Sequence, residues 1–97
     1  MVKLRWSPQA ASDLESLCEY IAKDSLEYAR LLAATIVATI ESIPDFPMAG
    51  RSVPEYRDER VRQRIVGNYR IIYRWLKEED TVEVVSIVHG ARLLHKD

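Results

Sequence analysis

Four arginines occur at short intervals in the second half of the chain: Arg62, Arg64, Arg70 and Arg74. They belong to a stretch, residues 51–74, that holds seven arginines, no lysine and three carboxylates, a local charge of +4 in a chain of net charge −1. The planar guanidinium group matches the oxygens of phosphates and carboxylates. Such a cluster can bind a nucleic-acid backbone, stabilise charge on a transferring phosphoryl group, or hold the carboxylates of a protein partner. The alternative is a solvated sheet face whose arginines pair with nearby acids, namely Glu55, Asp58, Glu59 and Glu83.

His89 is the histidine that lies close enough to a predicted strand to act as a general acid or base, since His95 lies in the C-terminal tail. A single histidine at a strand end is more often a structural hydrogen-bonding group, and no acid–base pair is evident from the spacing. The two histidines and the single Cys18 make no recognisable metal site, and the three glycines form no phosphate-binding loop. We therefore expect no metal, no cofactor and an unreactive, buried Cys18.

One strand and two helices are predicted for the first 43 residues. Val2 to Trp6 alternates apolar with basic side chains, as does a strand with one buried face. Ser7-Pro8 supplies an N-cap and a proline at the first helical position, and apolar residues then recur at helical spacing to about Lys23. Asp24-Ser25 interrupts the helical pattern and offers an N-cap for a second helix, which ends before Pro44. So short a connection favours an antiparallel helical hairpin.

The second half of the chain is predicted to form an antiparallel meander. The proline-containing stretch from Pro44 to about Arg60 shows no periodicity and is expected to be an ordered connector. Three strands follow, over Val61 to Ile65, Tyr69 to Leu76 and Val82 to His89. The predicted fold class is therefore α+β in the order β-α-α-β-β-β, a single domain over residues 1–97. Its helical hairpin can cover only one face of a small, mainly antiparallel sheet, so we expect the other face to be open.

The loop between the first two meander strands decides which arginines share a face, because a one-residue slip exchanges every side chain between faces. A two-residue loop at Gly67-Asn68 pairs Arg64 with Ile71 and places Arg62 and Arg64 among the tyrosines. A three-residue loop, residues 66–68, pairs Arg64 with Arg70 and separates charge from the core, so we favour it. One face is then Val61, Gln63, Ile65, Tyr69, Ile71, Tyr73 and Trp75, and the other is Arg62, Arg64, Arg70 and Arg74 with Ile72. We expect Tyr69, Tyr73 and Trp75 to be core residues rather than a base-stacking platform.

The N-terminus lacks the apolar stretch of a signal peptide, and no run approaches the roughly 18 apolar residues that a membrane span needs. We therefore expect a soluble, cytoplasmic protein without membrane contact. A domain of this size buries a smaller share of its surface than a larger one, so a partner could add materially to its stability.

Four segments together resemble the RelE/ParE toxins: WSPQAASDL (Trp6 to Leu14), GRSVPE (Gly50 to Glu55), GNYRIIYRW (Gly67 to Trp75) and VVSIVHGAR (Val84 to Arg92). The resemblance spans essentially the whole chain. It implies the toxin of a type II toxin-antitoxin system, which arrests growth by poisoning an essential process until a cognate antitoxin wraps it into a hetero-oligomer. Related antitoxin segments are typically disordered and fold on binding.

The family has two functional branches, and the resemblance bears on both. RelE-like members cut messenger RNA on the ribosome with basic sheet residues, which here match Arg62, Arg64, Arg70 and Arg92. They also use a tyrosine a few residues beyond the last arginine, and Leu93 to Asp97 offers none. The GRSVPE and His-Gly-Ala-Arg segments are more similar to ParE-like members, which inhibit DNA gyrase without cutting RNA.

The leading hypothesis is thus a gyrase-binding toxin that is not an enzyme. Its target contacts would be Arg62, Arg64, Arg70, Arg74 and Arg92. The first alternative is a ribosome-dependent endoribonuclease in which Arg64, Arg70 and Arg92 stabilise phosphate charge and His89 is the general base. The second alternative is a non-toxic remnant that only binds an antitoxin.

Overall fold

The computed structural model describes residues 1–90, so Arg92 and His95 lie outside the described residues. The elements are β1 (Lys3–Trp6), α1 (Pro8–Ala22), α2 (Leu26–Ser42), β2 (Arg51–Ser52), β3 (Val61–Val66), β4 (Tyr69–Leu76) and β5 (Thr81–His89), with single 3₁₀ turns at Ile43–Asp45 and Lys77–Glu79. Both predicted helix caps are present: the Ser7 hydroxyl accepts from the Ala10 amide, and the Ser25 hydroxyl from the Tyr28 amide. None of the helices in residues 1–90 is long and apolar enough to cross a membrane.

The five strands form one mixed sheet in the order β1-β5-β4-β3-β2. β1 runs parallel to β5, and every other neighbouring pair is antiparallel. α1 contacts β5 and α2 contacts β3, so both helices lie on the same face. Their apolar stripes meet the sheet around the fully buried Ile36, Ile40, Tyr73 and Val84. The predicted α+β class and helical hairpin are confirmed, with the two-residue β2 added inside the predicted connector.

β5 is longer than β1, its parallel neighbour, so part of its edge has no strand beside it. Residues of α1 and its N-cap form hydrogen bonds with the backbone of that part. A bulge at Val85 shifts the β4–β5 register after the pair of Ile72 with Ser86. The Ser7 hydroxyl donates to the Val85 carbonyl at 2.7 Å, and the Ile87 amide donates to the Asp13 carboxylate at 2.9 Å. Helix α1 thereby supplies two of the bonds that a longer β1 would have supplied.

The register predicted for the β3–β4 hairpin is wrong by one residue. Val66 pairs with Tyr69 and Arg64 with Ile71 across a two-residue turn. Gly67 has a φ of +56°, which lets glycine occupy the first central position of so tight a turn. The three-residue loop was favoured because it separated charge from the core. That reasoning fails because β3 is close to the sheet's edge, where a long arginine side chain reaches past the core to solvent.

The second face of the sheet is partly covered, contrary to the expectation of an open face. Val53 and Val61 are each 1% exposed and, with the fully buried Ile72, form a small separate core. Tyr56 and Val88 pack against this cluster. The segment after β2 therefore folds across the face that the helices leave bare, which a single helical hairpin could not cover.

Candidate functional site

The four strand arginines are divided between the two faces, so the predicted face of four arginines is wrong. Arg62 lies opposite Tyr73 and Arg64 opposite Ile71, which places both on the side of the helices. Arg70 lies opposite Ile65 and Arg74 opposite Val61, on the other side. Residues directly opposite each other in a ladder share a face, so the one-residue change in register separates the two pairs.

Arg70 is clamped in a buried ion pair. Its two terminal nitrogens donate to the two carboxylate oxygens of Glu55 at 2.8 and 2.9 Å, and its Nε donates to Gln63 Oε1 at 2.7 Å. The side chains of Arg70 and Glu55 are only 10% and 17% exposed. The hydrogen bonds to Glu55 raise the pKa of Arg70 above its ordinary value. This fork-to-fork geometry fixes the covering segment to the sheet rather than offering Arg70 to a ligand.

Arg74 is also committed to a carboxylate. Its guanidinium lies 3.6 Å from Glu83, whose other oxygen lies 3.4 Å from Nε of Arg5. Glu55 and Glu83 are two of the four acids that the sequence offered as partners, so the paired interpretation is confirmed for Arg70 and Arg74.

Arg62 holds the connector to the edge of the sheet. Its Nε donates to the Glu59 carbonyl at 2.9 Å, and a terminal nitrogen approaches the Gly50 carbonyl at 3.4 Å. Arg64 is different, because it makes no ion pair or side-chain hydrogen bond with any other residue of the described range, 1–90.

Arg64 lines an open cleft of about 390 Å³ where β2 begins beside β3. The cleft also contains Arg51, which is exposed, and the backbone around Gly50. We refer to Arg51, Arg62 and Arg64 as the basic edge. The cleft's described lining contains two arginines and no carboxylate, so its electrostatic preference is for an anion.

His89 lies at the far end of β5 and is exposed. Its ring meets Tyr69 edge to face, with centroids 5.6 Å apart, and it lines a second cleft of about 430 Å³ together with Asn68, Gly90 and the Glu55-bound Arg70. β4 separates it from Arg64, since Tyr69 and Ile71 lie between them on the same face. The structure thus does not bring the candidate base beside the unpaired arginine.

Within residues 1–90 there is no group of three or more His, Cys, Asp and Glu side chains placed to hold a metal ion. Cys18 is half-buried against the main core, and its burial raises the pKa of its thiol. A raised pKa keeps the sulfur protonated and weakly nucleophilic, in agreement with a packing role.

Comparison with known proteins now identifies the family. The sequence profile described as the ParE toxin of type II toxin-antitoxin systems, parDE, matches residues 4–94. The chain belongs to the ParE toxin family. It is therefore the toxin of a type II toxin-antitoxin system, and the resemblance in the sequence is confirmed.

Individual ParE-family relatives and neighbours agree with this assignment. Y4kP of Sinorhizobium fredii, named as a candidate toxin, is 26% identical over 90 residues, or 91% of this chain and 88% of that protein. The fold is similar to a chain of the chromosomal ParDE system of P. aeruginosa, with a TM-score of 0.74, 20% identity and coverage of 92% and 96% of the two chains. It is also similar to a chain of the RelBE2 toxin-antitoxin complex of Mycobacterium tuberculosis, with a TM-score of 0.65, 22% identity and coverage of 91% and 96%. At these identities the two structures establish the fold.

The structure of this ParE-family chain explains the glycine of the GRSVPE segment, which the sequence alone did not. Tyr73 is fully buried, accepts a hydrogen bond from the Gly50 amide at 3.1 Å and donates one to the Pro47 carbonyl at 2.6 Å. A Cβ on Gly50 would lie 2.5 Å from that hydroxyl, so only glycine fits without a shift. Burial raises the pKa of Tyr73, which keeps the hydroxyl neutral and able to donate. Tyr73 is a core residue as predicted, and Tyr69 and Trp75 pack partly buried against the same core.

Two residues of the site escaped the sequence reasoning. Arg51 precedes the three predicted meander strands, and Ile65 was assigned to the helix-covered face. The register places Ile65 on the other side, where it is 52% exposed. The tight-turn pair Gly67-Asn68 is the sequence signal that could have placed Ile65, because it sets the register of β3 against β4, whereas no comparable signal marks Arg51.

Proposed function

We propose that this toxin inhibits DNA gyrase by binding it through the basic edge, without catalysing a reaction, and that a cognate antitoxin neutralises it in the cytoplasm. The observation that carries the proposal is that Arg64 and Arg70 lie on opposite faces of the sheet. The competing function, ribosome-dependent RNA cleavage, would need both of them beside one phosphate.

Stabilising a phosphoryl transition state requires preorganised donors that converge on the position where charge develops. Arg70 has three donor contacts already directed at Glu55 and Gln63, in a partly buried site. Turning it towards a substrate would leave the Glu55 carboxylate without this partner. Arg74 and Arg62 are likewise committed, to Glu83 and to backbone carbonyls. Among the described residues of the basic edge, Arg51 and Arg64 make no ion pair, and they lie on opposite faces of the sheet, which suits a contact surface better than a catalytic centre.

The separation of His89 from Arg64 supports the same conclusion. A general base must lie within hydrogen-bonding reach of the proton that it removes, either directly or through one water. His89 is separated from Arg64 by the width of β4. Membership in the ParE family adds further support, because ParE-like members are the gyrase-inhibiting branch of the resemblance. Arg92 remains a predicted contact outside the described residues.

An antitoxin partner is supported by the structural neighbours, which belong to a ParDE toxin-antitoxin system and a RelBE2 toxin-antitoxin complex. We infer that this chain likewise forms a hetero-oligomer with its own antitoxin. An antitoxin that covers the basic edge would block the target contact and bury exposed surface at once.

Purified toxin added separately to a gyrase supercoiling reaction and to a translating-ribosome reaction distinguishes the two functions. The proposal predicts blocked supercoiling and intact message. Cut message with normal supercoiling would overturn it and return Arg64 and His89 to the position of catalytic candidates. Overexpression without growth arrest and without either effect would indicate an inactive antitoxin-binding chain.

A further inference from the structure

The outer edge of β3 continues beyond the strand that covers it. β2 is two residues long and pairs Arg51 with Gln63 and Ser52 with Arg62, whereas β3 runs on to Val66. Before β2 the chain has already turned away, since the Ala49 amide donates to the Phe46 carbonyl. The last three residues of β3 therefore have a strand on one side only.

The backbone groups of Ile65 face this uncovered side. The Trp75 amide donates to the Arg60 carbonyl, which fixes residues 60, 62, 64 and 66 as those that hydrogen-bond to β4. The residues between them point their N–H and C=O groups outward. Gln63 meets Arg51, the first residue of β2, and the Val61 amide donates to the Asp58 carbonyl, whereas Ile65 lies opposite a position that precedes β2.

The side chains at this edge alternate in chemistry. Arg64 points to the helix side, and Ile65, 52% exposed, points to the other side. Arg51 shares the side of Ile65, because it pairs with Gln63. An exposed apolar side chain beside unpaired backbone groups is the feature by which sheet edges recruit another strand, and arginine is a residue that discourages self-pairing.

Resting on the proposed function, we infer that this edge binds an extended acidic segment of a partner protein as an added strand along residues 64–66. The segment's backbone pairs with Ile65, its carboxylates meet Arg64 on the helix side, and an apolar side chain covers Ile65 on the other side. This is recognition by strand addition, in which the backbone gives affinity and alternate side chains give specificity. An occupied edge sequesters Arg64, so the same event neutralises the toxin.

The composition of the cleft favours a peptide over a nucleic acid. Within residues 1–90 its lining consists of Ala49, Gly50, Arg51, Gln63, Arg64 and Ile65. No aromatic ring on which a base could stack belongs to that lining, whereas single-strand nucleic-acid sites rely on such rings. The outward amide and carbonyl of Ile65 suit another backbone.

The test uses the full chain labelled with ¹⁵N and three probes: a ten-residue capped peptide that alternates glutamate with valine, its lysine-for-glutamate counterpart, and a ten-nucleotide single-stranded RNA. The inference predicts that the glutamate peptide shifts the amides of residues 64–66 and slows hydrogen exchange at Ile65. The lysine peptide and the RNA leave these amides unchanged. Equal binding of the lysine peptide, glutamate-peptide shifts confined to another surface, or RNA binding at this edge would each overturn it.

Two matched variants separate backbone pairing from side-chain contact. Ile65→Pro removes the outward N–H without removing a bond to β4, and Ile65→Ala keeps the N–H. We expect the glutamate peptide to bind the proline variant about tenfold more weakly than the alanine variant, the effect of a lost, desolvated hydrogen bond. Equal affinities would refute strand addition.

Charge reversal provides a second measurement that does not depend on the folding of Ile65→Pro. Arg64→Glu is expected to reverse the preference from the glutamate to the lysine peptide, and an unchanged preference would contradict the inference. The supercoiling assay is run on the same wild-type protein. Inhibition without glutamate-peptide binding defeats this inference alone, and peptide binding without inhibition defeats the proposed target alone.

Discussion

Replacing Glu55 with alanine removes the counter-ion that holds Arg70 in its partly buried site. Because the two side chains are only 17% and 10% exposed, the remaining guanidinium loses its charge partner where water can replace it only in part. Breaking a buried pair in this way typically costs about 3–5 kcal/mol. Because both side chains are still partly exposed, we expect the free energy of unfolding to fall by about 3 kcal/mol. That is a large part of the roughly 5–15 kcal/mol that stabilises a domain of this kind.

Urea and thermal unfolding at pH 7 measure the effect. For a domain of this size the loss corresponds to a fall in Tm of about 12–24 °C, at about 4–8 °C per kcal/mol. The double variant Glu55→Ala with Arg70→Met should be more stable than Glu55→Ala alone, because it removes both members of the Arg70–Glu55 pair. Glu59→Ala is the matched control. Its residue is exposed and its side chain makes no ion pair within the described part of the chain, so it should stay within about 0.5 kcal/mol of the wild type.

A change of less than about 1 kcal/mol for Glu55→Ala would refute the clamp as a stabilising interaction. Strictly additive effects in the double variant would show that the two charges are not coupled.

Three further predictions concern the connector. Tyr73→Phe leaves the Gly50 amide without its buried acceptor and should lower the free energy of unfolding by about 1–3 kcal/mol in urea titrations; an unchanged midpoint would refute the role of the hydroxyl. Gly50→Ala places a Cβ 2.5 Å from the Tyr73 hydroxyl and should lower Tm in wild type but less in Tyr73→Phe, so equal losses would contradict the steric argument. The hydrogen bonds from Arg60 lower the pKa of Asp58 to about 2 from 3.8, so its stabilising contribution is complete above about pH 4 and is lost as the pH falls through 2. Asp58→Asn should therefore flatten the Tm–pH curve between about pH 4 and pH 2, and an identical slope in wild type and variant would refute the role of the Asp58 carboxylate.

The local elements could be predicted from the sequence because their signals lie close together along the chain. Ser7 and Ser25 cap the helices as predicted, and apolar periodicity located both helices and the three long strands. These patterns act within a few residues of one another. The family resemblance rested on the same segments and is confirmed across residues 4–94.

The arrangement of the arginines could not be predicted, because it depends on one residue of register and on a segment without periodicity. Gly67-Asn68 is compatible with two loop lengths, and separating charge from the core chose the wrong one. Val53 packs as a core residue inside the proline-containing connector, where no repeat marks it. The sequence did name Glu55 and Glu83 as partners, but it did not assign them to Arg70 and Arg74.

The central claim is that Arg64 contacts gyrase and catalyses nothing. The most direct test is the toxin concentration that half-inhibits supercoiling, compared between wild type, Arg64→Ala and the control Arg30→Ala, whose arginine is exposed on α2. We expect Arg64→Ala to need about tenfold more toxin, the effect of losing one charge-assisted contact, while Arg30→Ala matches the wild type. Equal inhibition by all three proteins, or wild-type toxin that leaves supercoiling untouched and cuts message, would contradict the account.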